Sequence, residues 1–171
     1  MLLLIGNGKG KTTSAIGQAI RVLGQGQQVA FFQFIKSKSW PTGEEKILRK
    51  FKQLKFYKGG LGFVGIMGDS LPFAKHKQAA QQTFTLVVQA ITSKKYQLVV
   101  LDEVNVALQL KLITLKQVLT LIKKLPRSVD VLLTGRGAPK QLIAAAELVS
   151  EVKEIKHPYN KGLVGRRARE Y

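Results

Sequence analysis

The chain has no cysteine. Disulfides, thiolate zinc sites and cysteine nucleophiles are therefore excluded, and the composition fits a reducing compartment. Histidine is scarce. His76 falls among lysines on a stretch that reads as a helix, where it is expected to face solvent, and His157 precedes Pro158. Neither has partners at metal-ligand spacing, so no metal is assigned to them. Serine, histidine and aspartate occur in no recognisable nucleophile arrangement. Long apolar runs are missing too: none approaches the roughly 18 residues of a membrane helix. The opening run, Met1 to Ile5, is too short for a signal-peptide core and lacks a basic start. These absences predict a soluble, cytoplasmic protein with no membrane contact.

Acidic residues are few. Lys plus Arg number 28 against 10 Asp plus Glu, a formal net charge of +18. That charge draws polyanions, so nucleic acid has to be weighed as a partner. Residues 36–58 hold eight basic and two acidic side chains, interleaved with apolar positions, which is the pattern of a solvated face. The remaining composition, 45% hydrophobic and 22% charged over 171 residues, is that of one globular domain with a real core.

What is present is concentrated at the start. Met1 to Ile5 is apolar, and Gly6-Asn7-Gly8-Lys9-Gly10-Lys11-Thr12-Thr13 follows at once. A strand feeding a glycine-rich turn that ends in Gly-Lys-Thr has the layout of a phosphate-binding loop. Glycines let backbone N–H groups converge on phosphate oxygens, and the next helix aims its positive end at the anion. In this reading Lys11 reaches the outer phosphates and the Thr12 hydroxyl sits on a magnesium ion. The usual spacing asks for a glycine where Ile5 stands; the first glycine is Gly6, so the loop is one residue short. The alternative is a glycine-lysine turn with no ligand.

Apolar periodicity predicts helices over 12–23, 44–51, 71–92, 115–125 and 138–146, the first with Ala15, Ile16, Ala19, Ile20 and Leu23 on one stripe. It predicts strands over 29–35, 54–57, 98–101, 129–134 and 148–155 besides the opening run. Alternating strands and helices imply a mainly parallel sheet of about six strands, covered on both faces. Residues 59–68 hold five glycines and read as a flexible loop and candidate substrate lid. A basic tail runs over 156–171. No linker divides the chain, so 1–171 is one domain.

Leu98 to Leu101 followed by Asp102-Glu103 has the form of a Walker B segment. Sites in open parallel sheets lie at the carboxyl ends of strands, which puts both carboxylates beside the phosphate loop. One carboxylate with Thr12, phosphate oxygens and water completes a magnesium site; the alternative is an acidic strand end with no metal. Arg136, after Gly135 at the next strand end, either pairs with a phosphate or forms an ion pair with Asp102 or Glu103.

Several segments together resemble one family. They are the Gly6–Thr13 loop, Gln33-Phe34-Ile35-Lys36, Trp40-Pro41-x-Gly43-Glu44, Leu101-Asp102-Glu103-x-Asn105, Thr134-Gly135-Arg136-x-Ala138-Pro139 and Lys156-His157-Pro158-Tyr159. They resemble the ATP:corrinoid adenosyltransferases of the P-loop type, over nearly the whole chain. The resemblance implies a single-domain P-loop NTPase (RecA-like) fold and a homodimer. It implies transfer of the 5′-deoxyadenosyl group of ATP to Co(I) of a reduced corrinoid, with release of triphosphate. Mg2+ (or Mn2+) is the implied cofactor and a reducing protein such as a flavodoxin an implied partner. It explains the short loop: in the family, ATP lies reversed, leaving its 5′ carbon open to attack.

The implied site comprises Gly6, Asn7, Gly8, Lys9, Gly10, Lys11, Thr12 and Thr13 around the nucleotide, with Arg21 and Arg136 in support. Thr12, Glu103 and Asp102 are the implied metal set, and Lys11, Thr12 and Glu103 the catalytic one. The family's loop carries Gly-Phe-x-Trp, whose aromatics replace the lower ligand of cobalt. Here it reads Gly62-Phe63-Val64-Gly65, so the tryptophan is absent, and Phe63 is expected to cover the corrin's lower face with Val64, Ile66 and Met67 as the other bulky apolar candidates. The tail, Gly165 to Tyr171, also departs from the family pattern. Two other classes stand beside this one: a RecA-like ATPase acting on nucleic acid, disfavoured by the short loop, and an ATP-binding regulatory module without corrinoid chemistry.

Overall fold

The opening apolar run forms strand β1 (Leu2–Ile5), and the phosphate-loop sequence leads directly into helix α1 (Lys11–Gly24). In the computed structural model, which describes residues 1–66, 68–157 and 162, ten further elements follow. They are β2 (Val29–Ser37), α2 (Gly43–Leu48), β3 (Leu54–Gly60), α3 (Phe73–Thr92), β4 (Leu98–Asp102), α4 (Val104–Gln109), α5 (Leu115–Lys123), β5 (Asp130–Thr134), α6 (Lys140–Ala145) and β6 (Leu148–Glu151).

The six strands form one sheet in the order β3-β2-β4-β5-β1-β6, and every pairing is parallel. Alternation along the strands sends successive side chains to opposite faces. Phe31, Val100 and Leu132 join Ala15, Ala19 and Leu23 of α1 in one core. Phe32, Leu101 and Leu133 join Ala80, Phe84, Val87 and Ile91 of α3 in the other, with Val118 and Leu121 of α5. The central strands are therefore apolar on both sides, as a doubly covered parallel sheet requires. The expected α/β fold with helices on both faces is the observed one.

Several local expectations need correction. Gly59 and Gly60 belong to β3 rather than to the loop after it. A Cβ at Gly59 would lie 1.8 Å from Thr83 Oγ1 of α3, and one at Gly60 would lie 2.1 Å from the Ile35 backbone, so both glycines serve close packing. Helix α3 starts after Pro72, and β6 ends at Glu151, earlier than 155. Helix α4 was not anticipated. Ile20, expected on the buried stripe of α1, is half exposed. His76 is buried rather than solvent-facing, because its ring pairs with Asp69. Met67 and most of the expected basic tail, 158–161 and 163–171, lie outside the described residues.

Candidate functional site

The carboxyl ends of β1, β4, β5 and β2 lie on one edge of the sheet, and the polar residues of the site converge there. Gly10 sits at the N-cap of α1 with φ 117°, a left-handed conformation that favours glycine. An added Cβ there would meet nothing within 4 Å, so the loop's open side begins at this residue. Gly6 and Gly8 serve another purpose. The chain leaving β6 backs onto them: Gly8 N–H donates to the Val152 carbonyl at 2.8 Å. A Cβ at Gly6 would stand 2.4 Å from the same oxygen, and one at Gly8 2.7 Å from the carbonyl oxygens of both Val152 and Lys153. The loop is thus braced from behind. Asn7 and Lys9 are exposed on its crest, and Thr13 is exposed on the first turn of α1.

Lys11 folds its ammonium back onto the loop and donates to the Gly8 carbonyl at 2.7 Å. Partial burial lowers its pKa, with the Arg136 charge adding to that effect and Glu103 and Asp102 opposing it. Thr12 points the other way, and its Oγ1 donates to Asp102 Oδ1 at 2.9 Å.

Asp102 is wholly buried at the end of β4, and both of its oxygens are engaged. Oδ1 also accepts from Thr134 Oγ1 at 2.7 Å, and Oδ2 accepts from Gln33 Nε2 at 2.9 Å. Thr134 ends β5, the strand between β4 and β1, and its Oγ1 accepts the Glu103 N–H at 2.9 Å. One buried carboxylate therefore joins the loop threonine to both neighbouring strands, β2 and β5. Charge-assisted hydrogen bonds of this kind are about twice as strong as neutral ones.

Glu103 adopts φ 60°, ψ 23°, left-handed for a residue with a side chain. Such a backbone costs on the order of 1–3 kcal/mol and persists only where its surroundings impose it. Burial, then the Asp102 charge, raises its carboxyl pKa; Lys36, Lys11 and Arg136 act against that. Five charged groups thus bear on one point. Behind Glu103, Asn105 is buried with neither side-chain polar atom bonded among the described residues.

The structure brings together the Gly6–Thr13 loop, Asp102, Glu103 and Arg136. Arg136 is exposed and forms no ion pair with Asp102 or Glu103; of the two roles weighed for it, that contact is not observed. Arg21 does not join the site. It is exposed in the last turn of α1, ten residues from Lys11, or about 15 Å along a helix rising 1.5 Å per residue. Phe63 lies on the segment joining β3 to α3, which is tied to the end of β2 by the Gly62 N–H donating to the Ile35 carbonyl at 2.9 Å. Thr134 and Gln33 had no assigned role from the sequence. The signal was present, since each is a polar residue in an apolar run, Thr134 at the end of β5 and Gln33 within β2.

The donors fit a magnesium ion. Thr12 Oγ1 and the Glu103 carboxylate are hard oxygen ligands, while Asp102 is committed to its three hydrogen bonds. Among the described residues no group of three or more His, Cys, Asp or Glu could hold a metal. Magnesium is commonly held by one or two protein oxygens with phosphates and water, so this sparse set suits it.

Known proteins resemble this chain over most of its length. A corrinoid adenosyltransferase of Pseudomonas aeruginosa is 35% identical over 172 residues, covering 100% of this chain and 83% of that protein. A corrinoid adenosyltransferase of Escherichia coli K12 is 29% identical over 95% of this chain and 81% of its own length. Among solved structures, a KaiC-like protein from Pyrococcus horikoshii aligns with a TM-score of 0.49 and 20% identity, over 91% of this chain and 73% of the other. The model of the ATP:corrinoid adenosyltransferase family BtuR/CobO/CobP matches residues 1–171. The chain belongs to the ATP:corrinoid adenosyltransferases.

Proposed function

We propose that this protein transfers the 5′-deoxyadenosyl group of ATP to the Co(I) centre of a reduced corrinoid and releases triphosphate. The observation that carries the reading is the Thr12–Asp102–Thr134 network, which sets a phosphate loop against Glu103 in a chain that matches the family from end to end. The Co(I) electron pair forms the Co–C bond as the C5′–O bond breaks, and both electrons of that bond leave with triphosphate. Cobalt is the nucleophile, so the lack of a protein nucleophile is no obstacle.

The protein's task is to bind and stabilise a highly charged leaving group. Lys11 exchanges the Gly8 carbonyl for phosphate oxygens, and a polyanion there restores the charged form that burial disfavours. The amides at the start of α1 and the exposed Lys9 and Arg136 add positive potential. The Thr12 hydroxyl donates its proton to Asp102, which leaves its lone pairs facing the ligand. Thr12 and Glu103 would hold Mg2+ or Mn2+, and Asp102 orients Thr12 from behind. When bound, that ion neutralises part of the triphosphate charge. The one-residue-short loop supports a reversed ATP, with the 5′ carbon turned outward and Asn7 beside the nucleoside. Phe63 covers the lower corrin face.

The further parts of the reading follow from the chemistry. Co(I) needs an electron donor, for which a reducing protein such as a flavodoxin is suited, and a reducing compartment such as the cytoplasm. The protein acts as a homodimer, which sedimentation tests. The direct test incubates the protein with ATP, magnesium and chemically reduced cobalamin while absorbance is followed. The spectrum of a Co–C bonded corrinoid is expected. Its absence, with protein and Co(I) intact, overturns the proposal.

A further inference from the structure

Trp40 and Phe63 stand outside both cores. Trp40 is 56% exposed and Phe63 45%, and the rings meet edge-on with centroids 6.4 Å apart. They come from different segments, one after β2 and one after β3, and each segment is secured by a charged side chain.

The Trp40 side is held by Lys58. Its side chain is buried, and Nζ donates to the Trp40 carbonyl at 2.8 Å and pairs with Glu45 at 2.5 Å. A buried ammonium is costly unless paired and hydrogen-bonded, so this anchor is firm. The Phe63 side is held by Asp69. Its Oδ2 accepts the Gly65 N–H at 2.8 Å, and its Oδ1 accepts the Leu71 N–H at 3.1 Å. The His76 ring meets the same carboxylate at 3.1 Å. Two backbone N–H donors, with His76 adding, hold the Asp69 carboxyl below its usual pKa, so it is ionised and able to accept all three. His76 lies on the first turn of α3 and is buried beside exposed Lys75 and Lys77. Val64 packs on the main core, but Gly65 has no side chain with which to anchor the turn after it. Asp69 is the group that ties that turn to α3.

We propose that Asp69 and His76 are positioning residues: they clasp the segment between β3 and α3 to the start of α3 and so hold Phe63 against Trp40 as one wall of the corrinoid pocket. That the wall serves a corrinoid rests on the transferase reading; the clasp itself does not. Loss of the imidazole donor leaves Asp69 with two amides and no tie to the helix. The turn at Gly65 is then free to swing, which loosens Phe63 from that side while the Gly62 N–H bond to Ile35 and the packing of Val64 remain. The phosphate loop is braced separately, by Val152, so ATP binding does not depend on the clasp.

Trp40 is the single tryptophan, so its emission reports the Phe63 contact without any ligand. His76→Leu and Asp69→Ala are expected to shift that emission to the red and to increase its quenching by acrylamide. Both should raise KM for corrinoid several-fold and leave KM for ATP unchanged. His76→Gln, whose amide still donates, should restore emission and corrinoid KM together. If His76→Leu does not fold by circular dichroism, Asp69→Asn is read in its place. Wild-type emission and corrinoid KM in a folded variant overturn the clasp, as does an ATP KM that rises in step with that for corrinoid. If the wild-type protein adenosylates nothing, the functional reading fails, while the emission of the variants still decides the clasp.

Discussion

Thr134 joins β4, β5 and the phosphate loop through one hydroxyl, and Thr134→Val removes that hydroxyl at nearly constant volume. Its Oγ1 donates to Asp102 at 2.7 Å and accepts from the Glu103 N–H at 2.9 Å, with the residue wholly buried. The bond to a buried charge is worth about 1.5–3 kcal/mol, and an orphaned buried N–H costs about 1–3 kcal/mol. The two losses share a partner, so their sum is taken as about 3–5 kcal/mol. For a domain of this size that lowers Tm by roughly 10 °C. Thr134→Ser keeps the hydroxyl and loses one methyl, a cost of about 0.8 kcal/mol or somewhat more. The network also aims Thr12, so Thr134→Val should weaken magnesium-ATP binding by about tenfold, the equivalent of one such hydrogen bond. Calorimetric melting and titration of ATP with magnesium read both effects. If the valine and serine variants melt together and bind ATP alike, the hydroxyl does not support the site and the reasoning is refuted.

Lys11→Ala removes a charge-assisted phosphate donor worth about 1.5–3 kcal/mol, so ATP affinity or turnover should fall about ten- to a hundredfold; unchanged values would take the loop out of the site. Glu103→Gln should bind magnesium-ATP poorly yet melt higher than wild type near neutral pH. The sign follows from the raised Glu103 pKa: wild-type stability is full where the carboxyl is protonated and is lost as pH rises through that pKa. The gap between the two melting curves should therefore close as pH falls, and a gap that widens in acid would contradict the assignment. Phe63→Ala should impair adenosylation of Co(II) corrinoid supplied with a weak reductant more than adenosylation of preformed Co(I), because only the first requires the lower ligand to be displaced. Equal loss in both assays would reduce Phe63 to a packing or affinity role.

The legible parts of the chain were those where one physical requirement dominates. An apolar strand, glycines and Lys-Thr in succession leave few alternatives to the β1–loop–α1 unit, and the fully apolar run 98–101 reads as a strand. The carboxyl-end rule for parallel sheets then places Asp102 and Glu103 near the loop. What stayed hidden depended on contacts distant in sequence. Gly59 and Gly60 read as loop by composition, yet their missing side chains let β3 approach Thr83 and Ile35. His76 read as exposed among lysines because its partner, Asp69, lies seven residues back in an irregular segment. Helix α4 is only six residues long and starts from the left-handed Glu103, a backbone state that no residue preference announces. Arg21 shares α1 with Lys11, and only helix length shows that it stands at the far end. The role of Thr134 required the strand order, since β5 lies between β4 and β1.

The central claim is that the bond broken in ATP is the one to the 5′ carbon. Phosphorus NMR of a turnover mixture containing ATP, magnesium and Co(I) corrinoid tests it most directly. Inorganic triphosphate is predicted to appear one for one with the Co–C bonded product and with little ADP. Steady accumulation of ADP and phosphate, stimulated by DNA or RNA and indifferent to corrinoid, would contradict it.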